Sequence, residues 1–461
     1  MERPNRTRFL LSATFVATMA ACTHHNNVGT QVDASLRDAP PRAACTDPLD
    51  GSLANGGILE TTDGFQTVGS APLVAMDEQG NGIVAWYVQS GMDLRTLARR
   101  YTAGVGWSDI ELVMQGGYAT SVALGNGTAL IALVGPTAVD AGSDTAGIYA
   151  ASTAAGGWSV LPVGVTSTGW WQEPYTPPPV AVLGQSAGLV AWIDVDAHNG
   201  LTAATLVDGA WQPVQSFGGV GDDPTASVLP SGGLAVARRD YRTEGTSMFF
   251  DLLVSSWDRA AGWLPTAALV QSQSAGKPKL AAGNGGRPHV IWYGTISSNH
   301  AELLPSGAWS AGDIVVAYDP QSVMRDERLV ADRASNALAA WTYYQGASCE
   351  STVVARYFVE GAGWQDTTQI NGSQNGNYAQ VADLAVSPNG DAWAVWRSGT
   401  CDLPDQEIWA RRFAPATGWG YPVRIDSSDS CSMQGGSLAM GGNRTLAAWS
   451  LGGRIVVRWL E

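Results

Sequence analysis

The stretch LARRYTAGVGW, residues 97–107, recurs in nearly the same form twice more along the chain. It returns as VARYFVEGAGW at 354–364 and as WARRFAPATGW at 409–419. Each copy is an alternating polar and apolar segment that is followed by a Gly-containing turn and a Trp, which is typical of a β-hairpin. A chain that repeats such a segment is expected to be an array of like supersecondary units.

Two series of aligned positions extend the repeat over most of the chain. The first series closes the hairpins, at Trp107, Trp158, Trp211, Trp263, Trp309, Trp364 and Trp419. The second series ends an earlier apolar segment of each unit, at Trp86, Leu133, Trp192, Arg238, Trp292, Trp341, Trp396 and Trp449. Units of this length, with Gly-Asn turns between two apolar segments, predict four antiparallel strands each, which is one blade of a β-propeller.

The last unit lacks its fourth strand. Only GRIVVRWL and Glu461 remain after the Trp449 segment and its turn. Near the other end, TTDGFQTVG aligns with LVDGAWQPV at 206–214 and places Phe65 at the hairpin Trp position. We therefore predict an all-β fold, a β-propeller of eight four-stranded blades whose last blade is closed by an N-terminal strand from residues 57–69. Seven blades is the alternative, if the unit that contains Leu133 is degenerate.

The first residues have the pattern of an export signal. A basic segment precedes the apolar run FLLSATFVATMAA, which is too short to span a bilayer. TMAAC resembles the lipobox of bacterial lipoproteins, which implies cleavage before Cys22 and acylation of its thiol. Thr23 after this cysteine resembles an outer-membrane sorting signal, so the predicted location is the outer membrane of a bacterial cell envelope. An ordinary secretory signal, cut near Ala21, is the alternative.

These patterns divide the chain into three parts. Residues 1–21 are the predicted signal peptide, residues 22–56 a flexible spacer that starts at the lipidated Cys22, and residues 57–461 the propeller domain. The formal net charge of −15 argues against nucleic acid as a partner, because phosphate binding needs a basic surface.

Four cysteines remain besides the lipidated one. Cys45, Cys349, Cys401 and Cys431 form an even set in an exported chain, which predicts disulfides. The propeller topology places the last three in loops on one face, and Cys45 is on a spacer that could reach them. No close Cys-Cys or Cys-His spacing supports a zinc site.

Two loops hold candidate ligand-binding residues. GVTSTGWWQEPYTPPP at 164–179 carries Trp170, Trp171 and Tyr175 outside the repeat, where they could stack on sugar rings or grip a peptide. The alternative is that these rings plug the central channel or pack on the next blade. DVDAHNG offers Asp194, Asp196 and Asn199 as a weak Ca²⁺ site, although the EF-hand spacing is broken. No other cofactor is predicted.

The sequence contains no nucleophile elbow, Walker loop or zincin motif, so no catalytic residue is predicted. We interpret His198, His289 and His300 as incidental residues of loops and blade rims. RRDYRTE at 238–244 has the residue types of a sialidase, but they are consecutive in what is predicted to be one loop. An enzymatic function would need carboxylates to converge over the channel, and the candidates are Asp140, Asp144, Asp194, Asp222 and Glu244.

From residue 57 onward the chain resembles the Trp-rich repeat β-propeller lipoproteins of myxobacteria-like cell envelopes. The resemblance implies the fold and the envelope location, and it carries no agreed activity. The predicted function is therefore a non-catalytic lipoprotein that presents a recognition face to a glycan or a protein and is held at the membrane by its lipid. The alternatives are a sugar-active hydrolase or lyase of the sialidase-like propeller type and a structural scaffold of an envelope complex.

Overall fold

The computed structural model describes the chain from residue 56 to residue 461 with internal gaps. The described ranges are 56–61, 71–91, 93–136, 145–154, 157–167, 178–194, 200–219, 221–244, 247–272, 276–283, 285–294, 297–310, 312–317, 323–344, 350–372, 378–400, 407–427 and 433–461. Within these ranges the regular structure is all β, in eight antiparallel sheets. None of the described residues belongs to a helix with the length and apolar character needed to cross a membrane.

The sheets follow one another along the chain, apart from the first strand, β1 (Gly56–Thr61). Blade 1 comprises β2 (Leu73–Met76), β3 (Gly82–Ser90), β4 (Asp93–Thr102), β5 (Gly106–Trp107) and β6 (Glu111–Gln115). Blade 2 comprises β7 (Tyr118–Gly125), β8 (Thr128–Gly135), β9 (Thr145–Ala154) and β10 (Gly157–Ser167). Blade 3 comprises β11 (Val180–Leu183), β12 (Ala187–Asp194), β13 (Gly200–Val207), β14 (Ala210–Trp211) and β15 (Gln215–Ser216).

The next two blades repeat this plan. Blade 4 comprises β16 (Gly221–Val228), β17 (Leu234–Glu244), β18 (Ser247–Asp258), β19 (Gly262–Trp263) and β20 (Ala267–Ser272). Blade 5 comprises β21 (Pro278–Ala281), β22 (His289–Tyr293), β23 (Ser297–Glu302) and β24 (Asp313–Ala317).

The last three blades lead back to the first strand. Blade 6 comprises β25 (Val323–Ala331), β26 (Ala337–Tyr344), β27 (Ser351–Val359), β28 (Gly363–Trp364) and β29 (Thr368–Gln369). Blade 7 comprises β30 (Tyr378–Val386), β31 (Ala392–Gly399), β32 (Glu407–Ala414), β33 (Gly418–Trp419) and β34 (Val423–Ser427). Blade 8 comprises β35 (Met433–Gly441), β36 (Arg444–Leu451), β37 (Arg454–Leu460) and β1.

The predicted eight-bladed propeller is confirmed. The first strand of each blade contacts the first strand of the next, and the ring closes where β35 contacts β2. These eight inner strands surround a central channel. We call the end with the connections between strands two and three, and between blades, the loop face. The end with the turns between strands one and two is the turn face.

The predicted closure of blade 8 is also confirmed. Strand β1 pairs antiparallel with β37, from Gly56 opposite Arg458 to Thr61 opposite Arg454. Leu59 is buried between blades 8 and 1, in a cluster with Trp86 and Trp459. Phe65 lies outside the described residues.

The repeat tryptophans fill the spaces between blades, as expected. The six Trp of the second series are at most 5% exposed and pack on the preceding blade, as Trp396 does on Leu338 and Ala340. The hairpin Trp lie at the outer end of the same interfaces, where Trp107 joins Tyr101 and the Trp459 ring of blade 8. Because large apolar side chains occupy the same place in successive blades, the spacing of tryptophans along the sequence reports the spacing of blades.

Bulges interrupt the inner strands in five blades, on the half nearer the loop face. The pairing of inner and second strands shifts between Ala119 and Ser121, Asp222 and Thr225, Arg325 and Arg328, Val381 and Asp383, and Gln434 and Ser437. Bulge residues bond to the inner strand of the next blade: the Leu438 amide donates to Asp383 Oδ2 over 2.8 Å, and Arg328 Nε donates to the Ala382 carbonyl over 2.9 Å. The bulges thus link neighbouring blades through polar contacts.

Two expectations about individual residues were wrong. His289 and His300 are not loop or rim residues: they lie in β22 and β23, are fully buried, and bond to each other. The RRDYRTE run is not a loop, because residues 238–244 form the outer half of strand β17. Residues 238–244 pair with β18 up to the last pair, Glu244 opposite Ser247. Its side chains therefore alternate between two faces of the sheet.

Candidate functional site

Charged side chains collect at the loop-face mouth of the channel, where the inner strands of blades 4 to 7 begin. In blade 4 the bulge contains Asp223 with a φ of 49°, and in blade 6 it contains Asp326 with a φ of 58°. This left-handed conformation is uncommon for residues other than glycine, and its cost is typically found where a site needs it. The two bulges place acidic side chains at the mouth on either side of blade 5.

Blade 5 supplies two cations between these bulges. Lys277 Nζ lies 2.9 Å from Asp223 Oδ1 of blade 4. Lys279 is two residues further along the chain and lies on β21, which begins directly after Lys277. Its neighbour Leu280 packs on blade 4, whereas Ala281 packs on blade 6. Because side chains alternate along a strand, Lys279 faces blade 6.

Lys279 and Glu327 share the space between blades 5 and 6, and both are driven towards their neutral forms. Burial lowers the pKa of Lys279, and the nearby positive charge of Arg328 lowers it further, against the opposing effect of Glu327. Burial likewise raises the pKa of Glu327, against the effects of its own backbone N–H and of Lys279. Such opposite shifts bring the pKa values of the amine and the carboxyl group closer together, which favours exchange of a proton between them.

Blade 7 adds a third carboxyl group. Asp383 Oδ1 lies 3.7 Å from Arg328 Nε, and its other oxygen accepts the Leu438 amide. Burial raises the pKa of Asp383, although Arg328 opposes that shift. Arg328 therefore stands between two carboxyl groups, Glu327 beside it and Asp383 on the next blade.

Neutral hydrogen-bonding groups surround the charged ones. Gln380 Nε2 donates to Asp326 Oδ2 over 2.9 Å, and its Oε1 accepts from the Tyr378 hydroxyl over 2.9 Å. Arg397 also bonds to Gln380 Oε1. The guanidinium of Arg325 lies 5.7 Å from the centre of the Tyr344 ring, which is close enough for a cation–π contact. The mouth thus offers hydrogen-bond donors, acceptors and ring faces close together.

A second polar group borders the mouth on the side of blade 4. Arg239 Nε donates to Asp222 Oδ1 over 2.7 Å, and Tyr241 bonds to the other oxygen of the same carboxylate. Burial, followed by the bond to Asp222, raises the pKa of Tyr241 to about 12. The Arg239 guanidinium lies 5.2 Å from the centre of the Phe250 ring. This tight packing makes the Asp222 group a structural border of the mouth.

The turn face has two cavities and an ion pair between distant blades. Two cavities of about 410 and 480 Å³ open there and share Met76, Asp77, Glu78 and Ala282 in their linings. An ion pair of 3.1 Å between Arg333 of blade 6 and Glu78 of blade 1 reaches across blades that are not neighbours. The charged and hydrogen-bonding cluster is therefore at the opposite end from this ion pair.

Most residues that the sequence singled out lie outside the described ranges. These are Cys22, Cys45, Cys349, Cys401, Cys431, Trp170, Trp171, Tyr175, Asp196, Asn199, Asp140, Asp144 and His198. Asp194 is the last residue of β12. Within the described part of the chain, no group of three or more His, Cys, Asp or Glu side chains is placed to hold a metal ion. The disulfide, aromatic and Ca²⁺ assignments stay predictions.

The carboxyl groups at the mouth are not the ones named from the sequence. Among the described candidates, Asp222 is held by Arg239 and Glu244 by Arg242. The structure instead gathers Asp223, Glu327 and Asp383. Sequence reasoning missed them because it aligned the units on tryptophans and gave little weight to the charged runs near the starts of inner strands, GDDP at 221–224 and RDER at 325–328.

A compositional signal also points to this mouth. Of the 26 Lys and Arg residues in the whole chain, only Lys277 and Lys279 are lysines. Arg remains charged throughout the accessible pH range, whereas Lys can lose its proton when it is buried. The chain thus has its only two amine side chains at one end of the channel.

Comparison with known proteins adds likeness of fold alone. No family model matches the chain, and no curated protein matches it. The polysaccharide lyase Uly1 is 8% identical over 74% of this chain and 89% of its own, with a TM-score of 0.48. The β-propeller domain of the Trilobed protease from Pyrococcus furiosus is 8% identical over 79% and 98%, with a TM-score of 0.45. The six-bladed lectin of the fungus Aleuria aurantia is 13% identical over 66% and 94%, with a TM-score of 0.39.

Proposed function

We propose that the protein binds a glycan at the loop-face mouth of its channel. The observation that carries the proposal is the convergence of charged residues at the starts of the inner strands of four successive blades: Asp223, Lys277, Lys279, Glu327, Arg328 and Asp383. Sugar hydroxyls both donate and accept hydrogen bonds. A concavity with carboxylates and cations side by side matches that chemistry at several points.

The position of the cluster favours a thin ligand over a protein surface. The charged residues stand on inner strands, inside the ring that the blades form, so a flat protein face would meet the outer strands and loops first. A single extended chain of sugars, or its end, can enter such a mouth. Strand β10 ends and β11 begins at the same face, and the predicted aromatic residues lie in the sequence between them, outside the described ranges.

The predicted lipid on Cys22 would place this mouth at the bacterial cell envelope, where glycans are abundant. This part of the proposal is supported by the sequence pattern TMAAC alone. An envelope scaffold is less favoured, because a scaffold does not require buried charges in its channel.

A glycan array followed by calorimetry tests the proposal. Asp223→Asn removes the charge that pairs with Lys277, and we expect it to weaken binding roughly 10- to 100-fold, as for a lost charge-assisted hydrogen bond. Asp208→Asn is the matched control, because Asp208 is an exposed acid in the hairpin turn between β13 and β14, at the turn-face end. Absence of binding to any glycan, or equal affinity of Asp223→Asn and the wild type, would overturn the proposal.

A second candidate function is supported by one specific observation. Lys279 and Glu327 are shifted in opposite directions towards their neutral forms, which simple recognition of a sugar does not need. This observation favours chemistry on the bound glycan.

A further inference from the structure

We propose that Lys279 and Glu327 carry out β-elimination on a glycan that contains uronic acid, with Lys279 as the base and Glu327 as the acid. The inference rests on the proposed glycan binding and names its substrate class and reaction. It starts from the placement of an amine and a carboxyl group in one interblade space, at the end of the channel that holds the only lysines of the chain.

The geometry separates Lys279 from the ion pair of Lys277 with Asp223, while the charge of Arg328 acts on both Lys279 and Glu327. Lys277 is 61% exposed and pairs with Asp223 on the blade 4 side. Lys279 faces the other way, towards the bulge in which Asp326 adopts its left-handed conformation and which carries Glu327. The bulge frees residues 326 and 327 from regular pairing with β26. The backbone is therefore arranged to bring Glu327 to the side of the strand that Lys279 occupies.

The choice of a lysine indicates the kind of proton that is removed. A carbon-bound proton next to a carboxylate is far less acidic than a hydroxyl activated for hydrolysis, and it needs a base stronger than a carboxylate. A neutral amine is such a base, and an arginine at the same position would stay charged. The positive charge of Arg328 beside the pair suits the substrate carboxylate, which must be neutralised as the proton leaves.

The elimination balances without a further reactant. The C5–H bond of the uronate breaks and its proton passes to Lys279 Nζ. The electron pair forms the C4–C5 double bond, and the C4–O4 bond breaks. The carboxyl proton of Glu327 passes to O4, so that one fragment gains a new reducing end and the other carries an unsaturated uronate at its new non-reducing end. Transfer of the proton from Lys279 to Glu327 then restores both groups.

The base can be observed directly, without any glycan. Reductive methylation with ¹³C-formaldehyde labels the two lysines and the terminal amine, and NMR follows each signal with pH. We expect the signal that Lys279→Arg removes to titrate below that of an exposed lysine introduced as Arg412→Lys, which is far from the mouth at the outer edge of blade 7. If Lys279 titrates at the same pH as the exposed lysine introduced by Arg412→Lys, the inference is overturned.

The reaction is tested on polygalacturonate, alginate and hyaluronan by the ultraviolet absorbance of the unsaturated uronate. We expect Lys279→Arg and Glu327→Gln each to lower the rate at least about 100-fold, the usual contribution of a general base or acid. Arg412→Lys should keep the wild-type rate. The wild-type rate should be bell-shaped in pH, rising as Lys279 loses its proton and falling as Glu327 does.

The outcomes separate the two proposals. A wild type that binds these uronates and releases no unsaturated product overturns the elimination and leaves glycan binding in place. Elimination that persists in Lys279→Arg within tenfold of the wild type overturns the assignment of the base. A chain that binds no glycan on the array overturns both proposals at once.

Discussion

His289 Nδ1 lies 2.9 Å from His300 Nε2 inside blade 5. The Ser335 carbonyl oxygen determines which of these two nitrogens is the donor. His289 Nε2 lies 3.1 Å from the Ser335 carbonyl, which can only accept, so Nε2 carries the proton. In the neutral ring, His289 Nδ1 is then an acceptor, and His300 Nε2 donates to it. The Phe358 and Trp364 rings of blade 6 pack against the pair. These hydrogen bonds and the apolar surroundings therefore favour the neutral form of both imidazoles.

This pair predicts a loss of stability in mild acid. Burial, the first cause for each ring, lowers the pKa of His289 to about 4 and that of His300 to about 3. In the unfolded chain both histidines bind a proton near the ordinary histidine pKa of about 6.5. The stability that the two neutral rings give the folded protein is therefore fully present above that pH and is lost progressively below it. By pH 5 we expect a loss of about 2 kcal/mol for each histidine.

Chemical unfolding from pH 8 to pH 5 measures the effect. In the double variant His289→Phe with His300→Phe, the part of the pH dependence that appears between pH 6.5 and pH 5 should disappear, because carboxyl groups titrate mostly below this window. An unchanged slope in the double variant would contradict the assignment.

Closure of the ring by β1 predicts unequal effects of two deletions. Removal of residues 56–61 takes away the outer strand of blade 8 and Leu59 from the interface with blade 1, and it exposes the edge of β37. We expect aggregation or a loss of several kcal/mol, far above the effect of an ordinary surface change. Removal of 23–44 should leave the melting temperature unchanged, and equal behaviour of the two deletions would refute the closure.

Arg238 is the position where blade 4 departs from the repeat tryptophan. Its side chain is buried, its Nε and Nη1 have no hydrogen-bond partner among the described residues, and its Nη2 is 3.7 Å from Asp240. Burial lowers its pKa, against the effect of Asp240. Because a buried charge with weak pairing costs free energy, Arg238→Met should match or exceed the wild type in stability, by up to about 3 kcal/mol.

Arg239→Met is the matched control. Arg239 holds Asp222 with two bonds, so its loss leaves a mostly buried carboxylate with the Tyr241 hydroxyl and without this cation. We expect it to lower stability by about 2 kcal/mol. Thermal unfolding of both variants tests this prediction. Strong destabilisation by Arg238→Met would contradict the conclusion that the Arg238 guanidinium is weakly paired.

Features that repeat from blade to blade could be predicted from the sequence, and features that occur once could not. Trp341, Trp396 and Trp449 pack the same way in successive blades, so their spacing encodes the fold. The mouth is built from residues that occur once, such as Lys279 in blade 5 and Glu327 in blade 6. Their proximity depends on a bulge and on which side of a strand each faces, and neither feature leaves a periodic signal.

The aromatic loop gives a prediction that separates recognition from packing. If Trp170 and Trp171 contact the glycan, the double change to Ala should weaken binding and leave the melting temperature nearly unchanged. If they pack on a blade, each change should cost about 3–5 kcal/mol. Trp364→Ala is the control for packing, because that ring lies between blades 5 and 6. A double variant as unstable as Trp364→Ala would refute recognition by this loop.

The proposed lipid anchor depends on one thiol. In a bacterial host, a palmitate analogue should label the wild type and not Cys22→Ser, because only the thiolate of a lipobox cysteine is acylated. Equal labelling of both would end the proposal. Cys45→Ser serves as control for the cysteine nearest in sequence and should be labelled like the wild type.

The pairing of β1 with β37 also sets an order on folding. Strand β1 is made first and its partner last, with seven complete blades between them. Among the described strands β1 is the earliest, and it must wait unpaired until β37 has been synthesised. A loop that spans almost the entire sequence is slow to close. The finished ring can therefore form only as a final step, and until then both the edge of blade 8 and its missing strand are open to chaperones, proteases and other copies of the chain.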